Sequence, residues 1–118
     1  MTSINSIYTP VIQWEMPVST SVTMAPNIGY NTGTSSSSYT FLLPGIMNTN
    51  DMVAVSGSFS TFTINRSNIN QKIYWNGTNG DIITMANPGS SITVFCSAFV
   101  GSVTYLTIIN YSGTFTLA

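Results

Sequence analysis

Turn-forming dipeptides divide the second half of this chain into short segments rich in β-branched and aromatic residues. Asn76-Gly77, Pro88-Gly89 and Gly101-Ser102 each stand between two apolar segments. An Asn-Gly step between such segments favours a tight β-hairpin, and Pro-Gly and Gly-Ser steps also favour turns. The segments predicted as strands are 39–43, 52–64, 72–75, 82–85, 92–100, 103–110 and 114–117. This spacing of strands and turns is typical of an all-β protein.

The composition excludes long helices. Thr, Ile and Val recur in every ten-residue window, whereas the strong helix formers Leu, Glu, Lys and Ala are scarce. About six or seven short strands separated by turns predict a small antiparallel β-sandwich or jelly-roll-like domain. In segment 52–64 the apolar residues change face after Gly57, which predicts a bulge or bend between Gly57 and Ser60.

The first 38 residues lack a stable hydrophobic period and contain prolines at positions 10, 17 and 26. Proline removes a donor from a β-ladder and favours extended backbone. The sequence therefore predicts an extended N-terminal arm over 1–38 with one or two short edge strands, followed by a β-sandwich domain over 39–118. Residues 32–38 are predicted as a flexible loop. Trp14 in the arm has two interpretations: it docks into a partner's pocket, or it folds back over the core.

Charged residues are rare. The chain has two Lys and Arg, three Asp and Glu and no His, and these make up 4% of its residues, against about 25% in ordinary globular domains. Without clustered Lys and Arg, the sequence excludes nucleic acid as a partner and predicts no polybasic membrane patch. No apolar stretch approaches the length of a membrane-spanning helix. A surface of low charge has little repulsion between copies, so we expect a homo-oligomer.

The side chains that catalysis usually needs are also rare. General acid–base catalysis typically uses His or two adjacent carboxylates. This chain has no His, and we expect its carboxylates Asp51 and Asp81 to shape turns. Cys96 is the single cysteine and lies within the apolar segment 92–100, which predicts a buried thiol and no metal site. The sequence therefore predicts a protein that is not an enzyme and has no cofactor.

One segment has the chemistry of a carbohydrate site. Sugar-binding sites combine an aromatic platform with amide and carboxylate hydrogen bonds, and this segment offers Tyr74, Trp75, Asn76, Asn79 and Asp81. The simpler interpretation places Tyr74 and Trp75 on opposite faces of a strand, one in the core and one at an interface. In that case Asn76 and Gly77 only form the turn.

Six short motifs follow one another from Tyr39 onward. They are an extended strand ending in Leu-Pro, an Asn-Asp step before an apolar strand, a Thr-Ile strand, an Ile followed by an Asn-containing turn, a Pro-Gly-Ser-Ser step before an apolar strand, and a closing aromatic strand. Their positions are 39–44, 50–55, 62–65, 73–76, 88–95 and 105–109. In this order the segment resembles a β-structured domain of phage and other viral fibre, spike and minor capsid (decoration) proteins. The closing strand lacks the Gly-Trp pair usual in that domain.

The resemblance implies a virion subunit that forms a trimer or another symmetric assembly with other virion proteins. It also implies attachment to a capsid or tail through residues 1–38 and contact with a host receptor at the tips of the domain. The N-terminus has neither the basic nor the apolar region of a secretory signal, so assembly in the host cytoplasm is expected. Two functions stay open: a viral structural protein, or a lectin-like module that binds host-surface glycans through the hairpin over 74–81.

Overall fold

The computed structural model describes residues 12–118, and within this range all regular structure is β-strand. The strands are β1 (Gln13–Glu15), β2 (Ser21–Thr23), β3 (Ile28–Asn31), β4 (Tyr39–Leu42), β5 (Met52–Gly57), β6 (Phe62–Asn65), β7 (Gln71–Trp75), β8 (Thr78–Gly80), β9 (Ile82–Met85), β10 (Ser90–Val100), β11 (Val103–Ser112) and β12 (Thr116–Leu117). The prediction of an all-β protein is confirmed. No membrane-spanning helix occurs in the part of the chain that the structure describes.

The strands form two sheets that pack face to face around an apolar core. The first sheet has seven strands in the order β1-β3-β5-β10-β11-β7-β8, and the second has five in the order β12-β9-β6-β4-β2. Successive side chains of a strand point to opposite sides of the sheet. In β5, for example, Val53 and Val55 point into the core and are fully buried. We call the side of each sheet that points away from the core its outer face.

Both sheets are mixed, which corrects the antiparallel arrangement expected from the sequence. β1, β3 and β5 run parallel to one another, as do β2, β4 and β6, and β7 is parallel to β11. For the strands from β1 to β6, the reason is that the chain changes sheet at every step and turns back each time. Parallel neighbours need a crossover connection, and a strand of the opposite sheet supplies it here.

The N-terminal segment belongs to the sandwich from residue 12 onward. β1 and β2 lie at the edges of the two sheets, whereas β3 lies inside the first sheet between β1 and β5. Met24 and Tyr30 are buried members of the core. The predicted division between an arm and a domain at Ser38 is not a structural boundary, because β2 pairs with β4 and β3 pairs with β5 across it. The portion of the predicted arm before residue 12 lies outside the described residues.

The long apolar segment 52–64 divides into two strands of different sheets. β5 ends at Gly57 in the seven-stranded sheet, and β6 begins at Phe62 in the five-stranded sheet. The carbonyl of Gly57 accepts hydrogen bonds from the backbone N–H of Ser60 (3.4 Å) and Gly89 (2.8 Å), which fixes the bend. The predicted bend between Gly57 and Ser60 is therefore present, but it is a crossing between sheets and not a bulge within one strand.

Two of the predicted turns form at their glycine steps. Gly101 has φ of 65°, and Val100 pairs with Val103, so β10 and β11 are joined by a two-residue turn. Asn76 and Gly77 have φ of 52° and 78°, the positive values of a type I′ turn. This second turn joins β7 to β8, and not to β9 as expected, because β9 pairs with β6 in the other sheet.

Phe41 on β4 lies at the centre of the core and is fully buried. Its ring centroid is 5.6 Å from that of Tyr30, 5.9 Å from Tyr39 and 6.0 Å from Phe62. Tyr30 belongs to the seven-stranded sheet and the other three rings belong to the five-stranded sheet, so this cluster joins the two layers. The Tyr30 hydroxyl accepts a hydrogen bond from the backbone N–H of Ala25 (2.8 Å), which satisfies its polar end within the core.

Candidate functional site: an aromatic cleft beside the β7–β8 hairpin

The β7–β8 hairpin places its two aromatic residues on opposite faces. In β7, Gln71 and Ile73 are buried, so Trp75 continues the row that faces the core, while Tyr74 points to the outer face. The strand ends at Trp75, and for this reason the indole is only partly covered and packs against the rim of the core. The type I′ turn at Asn76-Gly77 follows immediately and ends the strand at this edge of the core.

Trp75 meets two other aromatic rings at this rim. Its ring centroid is 5.2 Å from that of Tyr111 at the end of β11 and 5.6 Å from that of Phe115, and Tyr111 and Phe115 are 4.9 Å apart. The interplanar angles are 87°, 71° and 84°, so each pair is edge-to-face. Edge-to-face pairs contribute about 0.5–1.5 kcal/mol beyond burial of their area. The three rings therefore form a preorganised cluster.

A cleft of about 500 Å³ opens beside this cluster. Besides the three rings it is lined by Asn76, Thr78, Gly113, Thr114 and Leu117. Gly113 has φ of 96°, a conformation that favours glycine, and the turn there brings the chain from β11 back across the cleft. The lining has no Asp, Glu, Lys or Arg, so the cleft offers aromatic surface and uncharged hydrogen-bonding groups.

The cleft contains two of the six residues predicted as contacts, Trp75 and Asn76. Tyr74 lies on the outer face and stacks on Tyr105, with ring centroids 6.0 Å apart. Asn79 pairs in register with Tyr74 and is exposed. Asp81 forms an ion pair with Arg66 (3.1 Å between Oδ2 and Nη2) and does not line the cleft. The structure therefore separates Trp75 and Asn76 from the other predicted contact residues.

Trp14 lies far from the cleft, since β1 and β8 are the two opposite edges of the seven-stranded sheet. Its ring packs on Gly29 of β3, where an added Cβ would lie 2.6 Å from the indole. Gly29 precedes the core residue Tyr30, so the ring covers the outer face and not the core. The interpretation in which Trp14 covers the core is therefore wrong, and its docking to a partner stays a prediction.

Tyr111 and Phe115 were not identified from the sequence as contact residues. Both are more than thirty positions from Trp75, and they reach it only because β11 runs parallel to β7. Their one sequence feature is that they flank the Ser112-Gly113 turn. An aromatic residue on each side of a glycine turn indicates a pair of rings at one end of a sheet, but it does not indicate which strand lies beside them.

The carboxylate of Asp51 lies outside the cleft and stabilises the loop before β5. Asp51 Oδ2 accepts a hydrogen bond from the backbone N–H of Asn48 (2.9 Å), and its Oδ1 accepts one from Asn27 Nδ2 (3.2 Å). The expectation that Asp51 shapes a turn is confirmed by the first contact. Within residues 12–118, no three His, Cys, Asp or Glu side chains lie together in a way that could hold a metal ion.

Cys96 is fully buried in β10, as predicted. Burial raises the pKa of the thiol, and the negative charge of Asp51 acts in the same direction. A thiol with a raised pKa is protonated at neutral pH, and the protonated form is neither a good nucleophile nor a metal ligand. Cys96 therefore acts as a small apolar side chain of the core.

No protein-family model and no curated protein matches this chain.

Proposed function

We propose that this chain is a structural subunit of a virion, either a minor capsid or decoration protein or the head of a fibre or spike, which assembles with copies of itself and with other virion proteins. The observation that carries the proposal is the scarcity of charge on both sheets. The strands of the five-stranded sheet contain no charged residue, and those of the seven-stranded sheet contain only Glu15 and Lys72. The proposal gives the chain no catalytic role.

Uncharged surfaces of this kind suit permanent contacts between subunits. Burying an unpaired charge in an interface costs roughly several kcal/mol. Hydroxyl and apolar groups are buried there at much lower cost. Large apolar side chains are also exposed, among them Met16 (66%), Ile46 (79%), Phe99 (56%) and Val100 (63%). A contiguous exposed apolar patch marks a surface that contacts a partner, and Ile46 and Phe99 line one groove.

The viral assignment is supported by the order of the six sequence motifs. Each motif lies in a separate strand or at its end: the strands, in order, are β4, β5, β6, β7, β10 and β11. The likeness to fibre, spike and minor capsid domains rests on the order of these motifs in the sequence. A trimer or another symmetric assembly is what this likeness implies.

The mass of the chain in solution tests the proposal. Sedimentation equilibrium is expected to give a fixed multiple of 12.7 kDa. The multiple should be the same at ~0.15 M and ~1 M NaCl, because contacts between uncharged surfaces are not weakened by screening. A 12.7 kDa species at every concentration, or an oligomer that dissociates as salt is added, would contradict the proposal.

A second function, binding of a neutral host-surface glycan, is favoured by the aromatic cleft. A pyranose presents C–H groups to an aromatic ring and hydroxyl groups to uncharged donors and acceptors, and Trp75, Tyr111, Asn76 and Thr78 offer both kinds of group. With no cation among the lining residues, the cleft fits a neutral sugar better than an acidic one.

Substitution of Trp75 tests this second function. On a column of immobilised neutral glycans, Trp75→Ala is expected to lose retention, with an affinity lower by ~5-fold or more, because one aromatic contact contributes about 1 kcal/mol or more. Tyr111→Ala, which removes a 43% exposed ring of the same cleft, should act in the same direction. Phe59→Ala is the matched control, since Phe59 is 56% exposed in the β5–β6 connection and does not line the cleft. Each variant is shown to be folded by circular dichroism. If Trp75→Ala and Tyr111→Ala are retained as strongly as the control and the unmodified chain, the cleft is excluded as the glycan site.

A further inference from the structure

The outer face of the seven-stranded sheet carries two rows of side chains that cross most of its strands. Residues paired in register on neighbouring strands share a face. The first row is Asn79, Tyr74, Thr107, Phe95 and Met52. The second row is Asn110, Thr93, Ala54, Gly29 and Trp14. We call this surface the aromatic face.

Two aromatic groups on this face are held in place. The indole of Trp14 lies against Gly29 and is 55% exposed, so it is fixed on one side and open to contact on the other. Tyr74 stacks on Tyr105 of the adjacent strand, with ring centroids 6.0 Å apart. Trp, Tyr and Met are enriched at protein interfaces, and rigid aromatic anchors lose little conformational entropy on binding.

The aromatic face has a single charged residue, Lys72, which pairs in register with Tyr105. In the commonest oligomers a surface patch meets the same patch of another copy across a two-fold axis, and a charge near that axis then faces the same charge. A face without charge at its centre has no such repulsion. The aromatic face is thus compatible with a second copy of itself, which a strongly charged face is not.

The outer face of the five-stranded sheet is different in chemistry. One row of hydroxyl side chains crosses all of its strands: Ser21, Thr40, Thr63, Thr84 and Thr116. A second row crosses four of them: Thr23, Leu42, Asn65 and Ile82. We call this surface the hydroxyl face. Ser and Thr are under-represented among the residues that dominate binding energy, and their hydroxyl groups are well hydrated when exposed. Of the two outer faces, the aromatic one gains more from leaving water.

The aromatic face reaches the lower limit of size for a specific contact. Seven strands at about 4.8 Å spacing span about 29 Å, and five residues along a strand span about 17 Å, which gives about 500 Å². Two such faces would bury about 1,000 Å² in total, which is the lower limit for a specific interface.

From these observations we infer that the aromatic face packs against a second copy of this chain. The inference rests on the proposed assembly and names the surface that mediates it. Phe95 on the central strand β10 and Thr107 beside it lie at the middle of the buried area. The hydroxyl face stays in contact with solvent or with other proteins.

The same substitution on the two faces tests the inference. Thr107→Lys places a charge near the middle of the aromatic face, and Thr63→Lys places one at the middle of the hydroxyl face, on the central strand β6. Both threonines are half-buried and lie in strands, so the two variants have similar costs for folding. Thr93→Lys is a second variant on the aromatic face. Native mass spectrometry and light scattering over a concentration series give the oligomeric state, and circular dichroism checks the fold.

We expect Thr107→Lys and Thr93→Lys to be monomeric, with a dissociation constant raised on the order of 100-fold, because a buried unpaired charge is strongly unfavourable. Thr63→Lys should remain oligomeric like the unmodified chain. If the unmodified chain is an oligomer and any other pattern occurs among the folded variants, the aromatic face is not the contact, although the proposed assembly stands. If the unmodified chain is a monomer at all concentrations, the proposed assembly itself fails.

Discussion

Phe41→Ala is expected to lower the free energy of unfolding by about 4 kcal/mol, since truncation of a buried Phe costs about 3–5 kcal/mol in well-packed cores. The Phe41 ring has no solvent exposure and touches rings from both sheets, with Tyr30 at 5.6 Å on one side and Phe62 at 6.0 Å on the other. Alanine would leave a cavity between two layers that are held apart by their own backbones. The surrounding rings therefore cannot close it fully.

Urea denaturation at a fixed protein concentration measures this loss, and the fixed concentration is needed because assembly also stabilises the folded state. Phe59→Ala is the matched control, because Phe59 is 56% exposed in the β5–β6 connection and its truncation should change stability by less than about 0.5 kcal/mol. A loss below about 1 kcal/mol for Phe41→Ala would contradict the position of this ring at the centre of the core.

The second large effect is expected at Gln71, a polar residue that is 1% exposed. Its Nε2 donates a hydrogen bond to the carbonyl of Pro44 (2.6 Å), and its Oε1 accepts bonds from the backbone N–H (2.7 Å) and Oγ (3.1 Å) of Ser67. The amide thus joins the loop after β4 to the loop after β6. Gln71→Leu keeps the volume but leaves the Pro44 and Ser67 groups without these partners. We expect a loss of about 3 kcal/mol, because each buried unsatisfied group costs about 1–3 kcal/mol.

Gln13→Leu is the control for this substitution, since Gln13 lies exposed on the edge strand β1. Thermal unfolding of the two variants should show a clear decrease of Tm for Gln71→Leu and almost none for Gln13→Leu. Equal changes in the two variants would mean that the Gln71 amide does not stabilise these loops.

Local features of the fold could be predicted from the sequence because they depend on a few neighbouring residues. The Asn76-Gly77 turn is one case, since both residues tolerate positive φ and the turn twists in the same sense as the strands. Burial of Cys96 is another, since it occupies an inward position of an apolar strand. Both the turn and the burial depend on residues within one short segment, so the sequence of that segment is enough to predict them.

Strand partners could not be predicted in the same way. Alternation of apolar and polar residues indicates which side of a strand is buried, but it contains no information about which strand lies beside it. The parallel pairs β3–β5 and β4–β6 result from repeated crossing between the sheets. Strands of two to four residues, such as β8 and β12, are also too short for alternation to identify them.

In the candidate site, too, the residues of one local segment could be predicted and those of distant strands could not. Trp75 and Asn76 could be identified because they lie together in one hairpin with recognisable chemistry. Tyr111 and Phe115 reach the cleft through the parallel pairing of β7 with β11, which no local pattern indicates. The carboxylate of Asp81 has the chemistry of a sugar contact, but it forms an ion pair with Arg66 and does not line the cleft.

Hydroxyl-radical footprinting of the assembled chain tests most directly whether its uncharged aromatic face is buried between copies. Trp14 and Phe59 are suitable reporters, because they are 55% and 56% exposed in the single chain and only Trp14 belongs to the aromatic face. The oxidation rate of Trp14 should fall as concentration drives assembly, while that of Phe59 stays constant. Unchanged oxidation of Trp14 in a sample shown to be oligomeric would contradict the account.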